Sequence, residues 1–90
     1  MELKELRQKI DKIDDELVRL FEQRMEVSGE IAQYKIKNNL PVYDPEREQQ
    51  KLQELSQKVK KENETYITDL YTLLFELSRS NQERIIRKTL

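Results

Sequence analysis

Apolar side chains recur three and four residues apart along the start of the chain: Leu3, Leu6, Ile10, Ile13, Leu17, Leu20, then Val27, Ile31 and Tyr34. That period lays them on one stripe of an α-helix. Arg24 interrupts the stripe, at the step between Leu20 and Val27. The pattern predicts a first helix over about residues 3–38, broken in "KNNLPVYD", where two asparagines and a leucine before Pro41 disfavour helix. Asp44 followed by Pro45 predicts the next start: the carboxylate can cap free backbone N–H groups, and proline suits a first helical position because it lacks one. Helix two is expected over about residues 45–61, with Leu52, Leu55 and Val59 inward; four places back from Leu52 stands Glu48. Lys51 falls where an apolar residue is expected. After the polar "KKENET", Asn63 or Thr65 can cap a third helix over about residues 65–87, whose apolar face includes Ile67, Leu70, Leu74, Leu77, Ile85 and Ile86.

One glycine and two prolines in 90 residues agree with helix nearly throughout. The expected fold is all-α, a single domain over residues 1–90 with three helices and a very long first one. At about 1.5 Å per residue that helix reaches roughly 50 Å, whereas a compact chain of this size has a radius of gyration of about 12 Å. A homodimer pairing two long helices is therefore the expected assembly.

Charged residues make up 39% of the chain and hydrophobic ones 36%, too polar a balance for a membrane span. The pattern starts without an apolar leader, so the expected location is cytoplasmic. Basic and acidic residues, 17 and 18, are interspersed, which argues against a nucleic-acid partner. The chain has no cysteine and no histidine, so thiolate chemistry, the usual metal ligands and the usual general base are all missing, and no metal site is expected.

The polar residues on apolar faces then carry what chemistry there is. An arginine at a seam edge can snorkel, or pair with Glu22 or Glu26. Ser28, four residues on from Arg24, and Lys35, eleven on, share its face. On helix three the row from Leu74 continues through Ser78 and Gln82 to Ile85, and on helix two Arg47 stands beside Glu48. Each has an ordinary structural explanation alone, and Gly29 marks either a close helix approach or simple tolerance. Arg24, Lys35, Arg47, Glu48, Ser78 and Gln82 together make three cations, one anion and two neutral groups, a balance suited to a small dianion bearing a hydroxyl.

In order along the chain, "LRQKIDKIDDELVRLFEQRMEV", "IAQYK", "PVYDPERE" and "YITDLYTLLFELSRSNQ" resemble the all-helical class of chorismate mutases over essentially the whole sequence. The resemblance implies an intertwined homodimer of three-helix chains that converts chorismate to prephenate by a [3,3] sigmatropic rearrangement, without a cofactor, in aromatic amino acid biosynthesis. It assigns substrate binding to Arg7 of the partner chain and to Arg24, Lys35, Asp44, Arg47, Glu48, Ser78 and Gln82; none of these positions is substituted. By the same resemblance, arginines engage the substrate carboxylates, Lys35 and Gln82 donate to the ether oxygen whose bond breaks, and Glu48 with the backbone near Asp44 takes the ring hydroxyl. The catalytic set is thus Lys35, Gln82 and Arg24. Helix geometry agrees on Arg7: at 28 residues from Lys35 on one helix, it stands roughly 42 Å away and can reach the same ligand only from a second chain. Two rivals remain. Isochorismate-pyruvate lyases share the fold but resemble PERV at "PERE" and carry an aromatic residue at the place of Ser78; a plain helical dimerisation module would explain the seam but not the polar set.

Overall fold

The structure is a computed structural model describing residues 1–90. It comprises α1 (Leu3–Asn38), α2 (Pro45–Ser56), a short 3-10 turn (Lys61–Asn63) and α3 (Glu64–Thr89). α1 stops where Asn39 takes the left-handed conformation, φ 53° and ψ 43°, a geometry asparagine tolerates better than most residues. The Leu40 N–H then closes back on the Lys35 carbonyl at 2.9 Å, and Pro41 follows. α2 starts on Asp44, whose Oδ1 accepts the Arg47 N–H at 3.1 Å, with Pro45 in the first turn.

α2 ends at Ser56, short of the expected Lys61. Its last turn tightens through bonds from Gln57 N–H to Glu54 O and from Lys58 N–H to Leu55 O, while the Ser56 hydroxyl donates to Gln53 O. Only Val59 among residues 57–62 has an apolar side chain to hold a further turn against the core, and it lies half-buried in the bend instead. α3 extends slightly beyond the expected 65–87 at both ends. Asn63 occupies its N-cap position without a side-chain capping bond, because the 3-10 turn winds straight into the helix.

α1 and α3 run side by side in the same direction: Arg24 lies by Tyr71 and Phe75, Ser28 by Ser78, and Lys35 by Gln82. Gly29 marks their close approach, since a Cβ there would stand 3.2 Å from Ile85 Cδ1. α2 returns along α3, with Glu48 near its start against Arg79. All of this packing involves the second half of α1. Leu3, Leu6, Ile10, Ile13, Leu17 and Leu20 are exposed, as are Leu70 and Leu77 on α3. The buried apolar side chains are Ala32, Leu55 and Phe75 alone, and the molecule extends 54 × 26 × 14 Å with a radius of gyration of 16.4 Å. No helix is long and apolar enough to cross a membrane.

Candidate active site

Where the three helices and the 39–44 connection meet, they enclose an open cleft of about 500 Å³. α1 supplies Arg24, Ser28 and Lys35 to it, one face of the helix at steps of four and seven. The start of α2 supplies Arg47 and Glu48, with Asp44 just before it. α3 supplies Tyr71, Phe75, Ser78 and Gln82, again one helical row.

The floor of the cleft is a connected polar network. Ser28 and Ser78 hydroxyls lie 2.8 Å apart, and Ser28 also reaches the Ser78 carbonyl at 3.3 Å. Gln82 Nε2 donates to both hydroxyls at 3.4 Å, while its Oε1 accepts from Lys35 Nζ at 3.0 Å. Lys35 donates again to the Val42 carbonyl at 2.7 Å, fastening the loop over the end of α1. Ser28 and Gln82 are 3% and 5% exposed, the two buried polar residues of the chain, and every buried polar side-chain atom has a partner. Such networks orient their members because any unmade bond at this depth is costly.

Charge balance is the second feature. Two carboxylates line the cleft, and both are engaged: Asp44 caps α2, and Glu48 is gripped by Arg79 Nη1 through both of its oxygens. Lys51 stands 3.9 Å from Glu54. Arg24, Lys35 and Arg47 have no carboxylate partner in the chain. Arg24 instead lies 5.8 Å from the Tyr71 ring centroid and 6.0 Å from that of Phe75, so of the alternatives open to it an ion pair with Glu22 or Glu26 is not formed, and cation–π contact holds it at the cleft wall. Three unneutralised cations around one concavity make a receptor for a small anion. The hydrogen bond to Glu48 raises the Arg79 pKa above even its ordinary value, with partial desolvation opposing. The shift is upward, so the arginine's share of this pair is complete below the ordinary arginine range and is lost only in strong alkali.

Of the eight residues singled out in the sequence, the cleft unites seven; Arg7 lies far along α1 and is not among its lining. Arg79 was not anticipated, and its position beside Ser78 carries no periodic signal. The sequence places Ser28 on the Arg24 face, and the structure adds it to the site. Tyr71 and Phe75 had a readable signal: 71, 75, 78 and 82 form one row at helical spacing, and this row, rather than the one through Leu74, faces the cleft. Lys51, anomalous as a core residue, lines the cleft.

Residues 6–83 match the model of the type II chorismate mutase family. The fold superposes on the crystal structure of chorismate mutase from Helicobacter pylori in complex with prephenate with a TM-score of 0.84, at 41% identity over 94% of this chain and 93% of that one. A bifunctional chorismate mutase/prephenate dehydratase of Buchnera aphidicola subsp. Acyrthosiphon pisum is 39% identical over 84 residues, covering 91% of this chain but 22% of that protein. Chorismate mutase of Methanocaldococcus jannaschii is 28% identical over 89 residues, 97% of this chain and 90% of that one. The chain thus spans less than a quarter of the bifunctional relatives and nearly all of the shorter ones. With its residues 6–83 matched and its three-helix fold shared with a solved member, the chain belongs to the type II chorismate mutase family.

Proposed function

We propose that this chain catalyses the rearrangement of chorismate to prephenate, in the aromatic amino acid branch of the shikimate pathway and in the cytoplasm. The reaction breaks the ether C–O bond and forms a C–C bond between the enolpyruvyl methylene and the ring, within one molecule. No proton or electron is exchanged, so an enzyme without histidine or cysteine suffices. Its work is to fold a flexible dianion into a chair-like reactive conformer and to stabilise the negative charge that grows on the ether oxygen.

The observation that carries this reading is the pairing of Lys35 and Gln82, 3.0 Å apart at the floor of a cation-rich cleft. Lys35 has three hydrogens and spends two on Gln82 Oε1 and Val42 O. The third is available to the ether oxygen, and the Gln82 amide reaches that oxygen by exchanging one of its two long 3.4 Å bonds to the serine hydroxyls. Donors held in place before the reaction stabilise the transition state more than the substrate, where that oxygen is nearly neutral. Arg24 and Arg47 receive carboxylates, and Glu48, with the backbone near Asp44, accepts the ring hydroxyl. Ser78 supports the network and the substrate alike.

The functional unit in this proposal is an intertwined homodimer, with Arg7 contributed by the partner chain. An apolar stripe exposed from Leu3 to Leu20, and three buried apolar side chains in all, support a second chain as the missing half of the core. Arg7 lies on that same exposed segment. The deciding experiment is incubation of the purified chain with chorismate and, separately, isochorismate, with products identified by mass and chromatography. Prephenate from chorismate is expected. Pyruvate release from isochorismate as the faster reaction would transfer the site to the lyases of this fold.

A further inference from the structure

Glu48 is the one carboxylate of the cleft that is not committed to a helix terminus, and a carboxylate beside a dianionic substrate is a problem as well as a resource. Unneutralised, its charge opposes the ligand that Arg24, Lys35 and Arg47 attract. Arg79, on α3 immediately after Ser78, lines the same cleft and meets Glu48 through a single nitrogen, Nη1, that bridges both carboxylate oxygens. Its guanidinium is in turn held 5.0 Å from the ring centroid of Tyr43, in the 39–44 connection. The pair is only partly exposed, 27% for the Arg79 side chain and 21% for Glu48. Aromatic ring, guanidinium and carboxylate therefore form a line from the loop to the cleft, joining three segments of the chain.

We propose that Arg79 is a positioning residue for substrate recognition: it fixes the rotamer of Glu48 and cancels its charge, so that the carboxylate meets the substrate as a hydrogen-bond acceptor without repelling its anionic groups. A carboxylate has about four lone-pair sites, and the contact with Nη1 engages two of them. The remaining pair is free for a hydroxyl donor. The role is exerted through Glu48 and not by contact between Arg79 and the substrate. It rests on the chorismate mutase reading of the cleft.

The test is a double-mutant cycle on the full chain, comparing the parent with Arg79→Ala, Glu48→Gln and the double variant, and with Arg79→Lys as the conservative replacement. Arg79→Ala is expected to raise KM for chorismate by about tenfold, the scale of one charge-assisted contact, with kcat much less affected. In the Glu48→Gln background, where no charge remains to cancel, the same substitution is expected to change KM by less than about twofold. Because one nitrogen makes both contacts, a lysine ammonium can substitute, and Arg79→Lys is expected to recover most of the KM. A fall in melting temperature with an unchanged KM would reduce Arg79 to a tie between α2 and α3 and overturn the proposal. Equal losses in both backgrounds would also overturn it, since Arg79 would then act on the substrate directly. A parent that leaves chorismate unchanged would instead remove the functional reading and this role with it, so the two failures are told apart by the first measurement.

Discussion

Lys35 Nζ and Gln82 Oε1 stand 3.0 Å apart, joining the end of α1 to the last turns of α3 across 47 positions of sequence. An ammonium can only donate, so the contact settles which end of the amide faces which neighbour: oxygen toward Lys35, nitrogen toward the Ser28 and Ser78 hydroxyls. A buried amide with both ends engaged does not turn freely. The ammonium and the amide, on different helices, are thereby held in one network, and groups fixed in this way are what charge-stabilising catalysis requires.

Lys35→Ala is expected to lower kcat by about 10² to 10³, the scale for one lost donor in a water-poor site, with a smaller effect on KM. Glu48→Ala is expected to show the opposite split, mainly a higher KM. Steady-state kinetics on both variants checks the division. Lys35 also holds the Val42 carbonyl at 2.7 Å, so circular dichroism melting of Lys35→Ala is needed to confirm that the 39–44 connection has not simply come loose.

Subunit mixing tests the contribution of Arg7. Arg7→Ala and Arg24→Ala chains are each expected to be inactive as homodimers. A heterodimer of the two has one site with both arginines and one with neither, and is expected to recover about half the parent activity per dimer. Absence of recovery after verified exchange would mean that the two residues serve the same chain or no common site.

The exposed stripe makes a separate prediction about assembly. Ile10→Glu or Leu17→Glu, each on the α1 face left bare in the single chain, is expected to abolish dimers in analytical ultracentrifugation and to unfold most of the protein. In the parent, the melting temperature is expected to rise with protein concentration. A folded monomer at every concentration would contradict the intertwined arrangement.

Ser28→Ala removes the 2.8 Å contact of the Ser78 hydroxyl and one of the two hydroxyl partners of the Gln82 amide nitrogen, leaving the pair only their long 3.4 Å bond to each other. The expected cost is about 1–2 kcal/mol in denaturant unfolding, together with a reduced kcat as the Gln82 amide gains freedom. A variant as stable and as fast as the parent would show that the serine pair does not orient Gln82.

Much of this fold is legible in the sequence. The α1 stripe, the Asp44–Pro45 start and the row through Ser78 and Gln82 are local patterns, and local patterns follow directly from helix period and capping. α2 was read too long because Leu52, Leu55 and Val59 keep the helical period across a point where the chain has to turn back to begin α3. Arg79 was invisible for a related reason. Its meaning comes from Glu48 on another helix and Tyr43 in a loop, a meeting that no spacing along the sequence encodes. Arg24 was conspicuous as a charge on an apolar seam, but its neighbours were not; the Tyr71 and Phe75 rings replace the glutamates that sequence proximity favoured.

The geometry also sharpens what Gln82→Glu should do. The parent has no histidine or cysteine to titrate near neutrality, so a flat rate profile is expected there. In the variant, the carboxylate would sit where Oε1 now accepts from Lys35 at 3.0 Å, forming an ion pair that draws the ammonium away from the ether oxygen, while the amide donor is lost outright. Its charge would also oppose the one that grows on that oxygen during reaction. Activity returns only when the carboxyl is protonated and can donate. Two forces act on that proton: burial, at a position 5% exposed, pushes an acid above its usual value of about 4.3, and the Lys35 ammonium pulls it down. The ionised form is also the damaging one, so the sign does not depend on which force is larger: the variant is expected to be poor at pH 7.5 and to gain rate steadily as the pH falls toward the mid-fours, while the parent does not. A profile as flat as the parent's, at undiminished rate, would place the Gln82 side chain away from the breaking bond.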